Sequence, residues 1–372
     1  MYFLVHFCIK ILKKSKKILI IIQRSNGDVF FSTSLVRALY NYYQSPQIDL
    51  LINEDTSLIG ETIPFINHIY KFSYIEKKNN RWRQEKNIFF KIFRKYDLSI
   101  NLTASDRSVI YALISGNKTI SAVEVDNKKS WWKKALLTHF YYFNKDKHIL
   151  LNNLDALGVL NINHLPIQQP PDINNQVITR MRRKLSNIGI SNFIIFHPSA
   201  QYVYKIYPQH LRNKLLELLV TLNIPIIITG GNSQLDFEIK LTIPDSSDII
   251  NLIGETSLEE LYALSELSSA YIGMDTMNMH IAASQNKRIF AIFGPTILKM
   301  WSPWSNELKK NATENMPVQT YGNITIFQDS LPCVACGNAG CDDKHGKSEC
   351  LFNINPSVIF KEIKDWYQSI HV

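Results

Sequence analysis

Short apolar runs alternate with amphipathic stretches along most of the chain. KILIII (17–22) is a β-branched apolar block of the length and purity of a strand buried on both faces. QRSNGD follows as a turn, and VFFSTSLVRALYNYY has helical spacing. IDLLIN (48–53) and YDLSINLT (96–103) repeat the strand signal. Strand, helix, strand in this rhythm predicts parallel βαβ units. The prolines and amides of PIQQPPDINN (166–175) then interrupt the alternation as a linker, a helix is predicted over 176–188, and the pattern restarts. NFIIFHPS, IPIIITGG, AYIGMD and RIFAIFGP read as strands, with helices at HLRNKLLELLVTLN, SLEELYALSEL and NMHIAASQ. NPSVIFKEIKDWYQSI closes the chain as an amphipathic helix with Pro356 near its start. The expected fold class is α/β, with Rossmann-like domains over residues 1–168 and 175–372 facing across a cleft. Ligands in such sheets bind at the carboxyl ends of strands, so the loops there are where chemistry is sought.

Composition narrows the class. The 372 residues are 45% hydrophobic and 20% charged, ordinary for packed domains and unlike a disordered chain. The net charge of +9 favours an anionic partner. The cations are dispersed, without the basic stripe or reading helix of a nucleic-acid binder, so no nucleic-acid partner is expected. MYFLVHFCIKIL at the start is too short to span a bilayer, and its charge, KKSKK, follows the apolar run where a signal peptide would precede it. The expectation is a cytoplasmic protein, with that segment either packed as a helix or lying peripherally on the inner membrane face. Of five cysteines, Cys8 stands alone and Cys333, Cys336, Cys341 and Cys350 cluster.

Four constellations fall after strands or close to one. Asp28, behind Gly27, sits where a helix should begin; it reads as a helix cap or as a base taking the proton of an attacking hydroxyl. In HPSAQYVYKIYP (197–208), Ser199 and backbone N–H groups suit phosphate oxygens and Lys205 their charge; the alternative is a solvated lysine. In MDTMNMHIAAS (274–284), Asp275 suits sugar hydroxyls, Thr276 ends the strand, and His280 is a core histidine or part of the site. In CVACGNAGCDDKHGKSEC (333–350), the close cysteine pair suits a closed, structural zinc or iron site with His345 as a spare ligand. Free thiols are the other reading.

Taken in order, KILIIIQRSNGDVFFSTSLVRAL, FIIFHPSAQYVYKIYP, and IINLIGETSLEELYALSELSSAYIGMDTMNMHIAAS followed by IFAIFGPT resemble glycosyltransferase family nine, the ADP-heptose heptosyltransferases. NLTASDRS, SWWKKALLTHF and the one-lysine loop look most like the branch adding the third core heptose. The resemblance implies a GT-B fold with an acceptor domain first and a donor domain second, and a C-terminal helix packing back on the first domain. It implies inverting, metal-independent transfer from ADP-L-glycero-β-D-manno-heptose to the lipopolysaccharide core, with no cofactor beyond a structural metal. Asp28 then matches the general base, and Ser25, Asn26 and Gly27 border the acceptor. Lys205 and Ser199 match diphosphate contacts. Asp275, Thr276 and His280 match the heptose and diphosphate block, Leu252 to Gly254 the adenine border, and Asp236 the ribose contact. One departure stands out: the family's DSGPMH reads Asp275-Thr276-Met277-Asn278-Met279-His280 here, which puts a side chain where backbone should approach phosphate. The cysteine segment resembles the metal finger of related enzymes that modify autotransporter proteins. Such an acceptor, or a nucleotide-binding homologue without turnover, are the alternatives.

Overall fold

A computed structural model describes residues 16–125 and 131–370. The chain divides into two compact units, the first ending at Pro166 and the second beginning at Ile167. MYFLVHFCIKIL, with Cys8, lies outside the described residues.

The first unit carries strands β1 (Lys17–Ile22), β2 (Gln47–Asn53), β3 (Ile66–Phe72), β4 (Tyr96–Asn101), β5 (Gly116–Val123) and β6 (His139–Tyr142). They form one sheet in the order β3-β2-β1-β4-β5-β6, each neighbouring pair parallel. Residues Ile18 to Ile22 of β1 are all fully buried. A parallel strand covered on both faces has no polar side to show, and this is why β1 reads as an unbroken apolar run. Strand order reverses between β1 and β4, which opens a crevice at their carboxyl ends. Asp28 stands in the turn of helix that leaves β1.

The single helix expected from VFFSTSLVRALYNYY is two. One covers Asn26–Phe31 and the next Thr33–Tyr42. The break at Ser32 has a local cause. The Ser32 hydroxyl donates to the carbonyl of Val29 at 2.7 Å and the Thr33 hydroxyl to that of Phe30 at 2.8 Å. Side-chain hydroxyls that take up carbonyls in this way compete with the helical ladder.

The second unit carries β7 (Ile194–His197), β8 (Ile226–Ile228), β9 (Ile249–Asn251), β10 (Ala270–Met274), β11 (Arg288–Ile292), β12 (Val318–Tyr321) and β13 (Ile324–Phe327). Their order is β12-β13-β11-β10-β7-β8-β9. All neighbours are parallel except the β12–β13 hairpin at the edge. Without β12, the order repeats that of the first unit, with the switch point between β7 and β10. One face of the sheet is covered by the helices Asn175–Asn187, Leu258–Leu267 and Met277–Ser284, through Val177, Met181, Leu264 and Met279. The other is covered by Leu215, Leu216 and Leu219 of the helix Gln209–Val220.

Ile359 and Ile363 of the C-terminal helix Pro356–Ser369 join that second layer. Among the described residues no helix is long and apolar enough to cross a membrane.

The register of β7 and β10 is close. A Cβ added at Gly273 would lie 2.5 Å from the carbonyl oxygen of His197 and 2.9 Å from the Tyr271 hydroxyl. Gly273→Ala should therefore destabilise the second unit by about 1–3 kcal/mol, the usual cost of overpacking. The check is a lowered urea midpoint at unchanged m value.

Candidate functional site

The second unit's switch point is built from the loops that leave β7 and β10. After β7 the chain runs through Pro198 and Ser199 to a single 3-10 turn, Val203–Lys205. After β10 it passes Asp275 and Thr276 and enters the helix Met277–Ser284. The Lys205 ammonium donates to Asp275 Oδ2 at 2.8 Å, joining loops seventy residues apart. Burial alone would lower the lysine's pKa; the Asp275 charge and hydrogen bond more than offset it, and the pKa lies above the ordinary value. The cation is held in place by a partner that takes only one of its three donors.

Thr276 is the N-cap of the helix Met277–Ser284, yet its hydroxyl makes no capping bond and lies 3.4 Å from the Tyr271 hydroxyl. The first turn of that helix is left with open N–H groups, a natural seat for an anion. His280 lies one turn deeper and is buried. Desolvation holds its pKa down at about 4 against the pull of Asp275, so near neutrality the ring is uncharged.

Two groups at this site have no counterpart among the residues picked from sequence. His197, the last residue of β7, bonds the Thr229 hydroxyl at 2.9 Å through Nδ1, and the Asn278 amide lies 2.9 Å from its Nε2. Burial lowers its pKa to about 4 as well. Asn278 therefore ties the helix after β10 to the end of β7. The sequence signal was available, because Asn278 is one of the departures from the family's DSGPMH pattern, but its effect lies in a contact across 81 residues.

The Asp236 carboxylate is already engaged. Its Oδ1 accepts from the Gly231 N–H at 3.0 Å, and its Oδ2 from the Ser233 N–H at 2.9 Å and the Ser233 hydroxyl at 2.5 Å. Burial would raise its pKa, but the Ser199 and Ser233 hydroxyls with the two backbone donors bring it below the usual range. Asp236 caps its helix. Leu252 is half-buried against the core. Gly254 follows in left-handed backbone, φ +76°, with Phe237 3.3 Å from where a Cβ would be.

In the first unit, Asp28 is buried at the third position of the helix Asn26–Phe31. Its Oδ2 accepts from the Ser25 hydroxyl at 2.7 Å and from the Ser25 N–H at 3.3 Å, and its Oδ1 lies 3.0 Å from Arg24 Nε. The capping reading thus describes what the carboxylate does here. Asn26 and Gly27 form the first turn of the same helix.

The four-cysteine segment lies beside the loop that leaves β7. Cys333, Cys336 and Cys341 are exposed, Cys350 is buried, and all are free thiols. Among the described residues no three His, Cys, Asp or Glu side chains are grouped to hold a metal. Burial, with Cys341, Cys336, Asp329 and Cys333 nearby, pushes the Cys350 thiol up to about 12. His345, the spare ligand, instead stacks on Tyr202 at 5.5 Å, and Tyr202 on Tyr204 at 5.2 Å. The segment braces the Lys205 loop.

The sequence profile of glycosyltransferase family 9 (heptosyltransferase) matches residues 91–326. Lipopolysaccharide heptosyltransferase 3 of Escherichia coli is 27% identical over 294 residues, 77% of this chain and 85% of that protein. Lipooligosaccharide heptosyltransferase 2 of Haemophilus influenzae is 22% identical over 360 residues, 91% of this chain and 96% of that protein. Among solved structures, E. coli ADP-heptose lps heptosyltransferase II aligns with a TM-score of 0.70 at 17% identity, over 96% of this chain and all of that one. E. coli heptosyltransferase WaaC with ADP-2-deoxy-2-fluoro heptose aligns with a TM-score of 0.66 at 13% identity, over 94% and 99%. At those identities the likeness is one of fold.

His197 and His280 set a pH dependence. Both are held near pKa 4 when folded, against 6.5 as the ordinary value. Between those values the unfolded chain binds protons that the folded chain refuses, so stability falls as pH is lowered through that window and is complete above it. Urea midpoints at pH 7 and pH 5 should differ, and the difference should shrink in His280→Gln. Equal differences in the two proteins would contradict this origin.

Proposed function

The chain belongs to glycosyltransferase family 9, the heptosyltransferases, and has the GT-B fold; we propose that it moves heptose from ADP-L-glycero-β-D-manno-heptose to the lipopolysaccharide inner core with inversion. The observation that carries this reading is the Lys205–Asp275 pair beside an uncapped helix start at the second unit's switch point. A fixed cation and open N–H groups are what a diphosphate leaving group needs.

In this reading the second unit binds the donor and the first the acceptor. Lys205 keeps its bond to Asp275 and turns its remaining donors to the diphosphate, assisted by Ser199 and the first turn of the helix Met277–Ser284. Asp275 and the neutral His280 face the heptose. The acceptor hydroxyl attacks the anomeric carbon, the bond to ADP breaks, and Asp28 takes the hydroxyl proton. A carboxylate has about four acceptor positions. The Ser25 and Arg24 contacts orient the Asp28 group and leave it room for that proton. Ser25, Asn26 and Gly27 border the acceptor. Leu252, Gly254 and Asp236 border adenine and ribose, Asp236 by shaping the loop through Gly231 and Ser233. No step is routed through a metal. The positive balance suits phosphates on the acceptor and a peripheral position at the cytoplasmic face of the inner membrane.

The well-covered curated relatives act on lipopolysaccharide or lipooligosaccharide by name, which favours that acceptor over an autotransporter protein. Met277, at the start of the donor helix, supports a second reading, nucleotide binding without turnover.

Incubation with ADP-heptose and a panel of core-truncated lipopolysaccharides should add one heptose, read by mass spectrometry; ADP binding with no addition would favour the second reading. Asp28→Asn should lower kcat by about 10²-fold or more, the worth of a positioned base. Lys205→Ala should raise the donor KM and lower kcat. Wild-type rates in both variants would remove the assigned roles.

A further inference from the structure

The second unit also holds a cavity of about 320 Å3 that none of Ser199, Lys205, Asp275, Thr276 or His280 lines. Its polar wall is unusual in three ways. The twelve-residue helix Gln209–Val220 begins against it, with Pro208 as an N-cap that offers no side-chain acceptor. The Ser348 hydroxyl, also in the lining, is 2% exposed and makes no hydrogen bond among the described residues. Arg212, also 2% exposed, is hydrogen-bonded among the described residues only to neutral oxygens: Asn213 Oδ1 at 3.0 Å, the Thr242 carbonyl at 3.0 Å and the Thr242 hydroxyl at 2.8 Å.

A buried cation without a counter-charge and a buried hydroxyl without a partner are each costly. An anion seated at the helix start would relieve both. Lys347 adds a second cation at the exposed edge. The remaining walls are largely apolar, with Ile206, Leu235 and Phe352 among them. One group opposes an anion: the Glu238 carboxylate, held at 3.2 Å by the Gln234 amide.

We propose that this cavity binds a phosphate monoester with an apolar body, at a place separate from the Lys205–Asp275 site. The phosphate takes the N–H groups of the helix start and the Ser348 hydroxyl, its charge answers Arg212 and Lys347, and the apolar body covers Ile206, Leu235 and Phe352. The inference rests on the second unit alone and not on the transferase reading.

The test is calorimetry on the full chain with octyl phosphate, inorganic phosphate and octyl glucoside, each with and without saturating ADP. Octyl phosphate should bind saturably at one site whether ADP is present or absent. Inorganic phosphate should bind there more weakly, which separates the charge from the apolar body, and octyl glucoside should not bind. The double variant Ser348→Ala, Lys347→Gln should lose about tenfold in affinity, equivalent to about 1.4 kcal/mol, while its urea midpoint stays at the wild-type value. Glu238→Gln should bind more tightly. Absence of saturable binding, displacement by ADP, equal binding of octyl glucoside, or unchanged affinity in the double variant would each overturn the proposal.

Discussion

One ion pair organises the second unit's functional end. Lys205 sits on a single 3-10 turn held by two backbone bonds, Lys205 N–H to the Tyr202 carbonyl and Ile206 N–H to that of Val203, a short element of poorer hydrogen-bond geometry. What holds it is Asp275, delivered by the end of β10, the strand parallel to β7. The carboxylate is buried and the ammonium partly so, and removing either partner from such a pair strands a charge in poor solvent. The loop is therefore ordered before any ligand arrives. The register that sets the pair depends in turn on Gly273, whose missing side chain lets β10 lie against His197.

The two units use one topology for opposite electrostatics. In both, the chain reverses strand order beside the first strand and begins a helix there. In the first unit the helix start is filled by the protein's own carboxylate, Asp28, bonded to Ser25 and Arg24. In the second, the helix after β10 has no capping side chain and Lys205 stands nearby. One switch point holds a buried carboxylate in its first helical turn, and the other a lysine beside an uncapped helix start. That division follows from which residue occupies the N-terminal turn, not from a difference in fold.

Much of this was legible in the chain. β1, β7 and β10 are apolar because both faces are covered, and their carboxyl ends carry the residues that pattern and resemblance single out. β3 was missed because INHIYKF, the edge strand of its sheet, mixes polar and apolar positions. β9 was missed because three residues give too little pattern. The break at Ser32 depends on hydroxyls that serve equally well inside a helix or against it. The Asn278–His197 contact and the engagement of Asp236 with Gly231 could not be read from spacing, because they arise where distant loops converge. For the cysteines, close spacing along the chain left two readings open, a metal site or free thiols, because spacing does not fix where the thiols point.

The stack of His345 on Tyr202 and Tyr204 has a consequence for how the fold tolerates change. Residues 333–348 add no strand to either sheet and touch the loop after β7 through ring faces, which demand little of the backbone that carries them. The segment's outer turns can change length while the sheets' own ladders stay intact, and the Gly337 N–H, donating to the Pro295 carbonyl at 2.7 Å, keeps the segment fastened to the turn after β11. A change of length there would be felt first in how stiffly the loop that carries Lys205 is held, with both sheets left as they are.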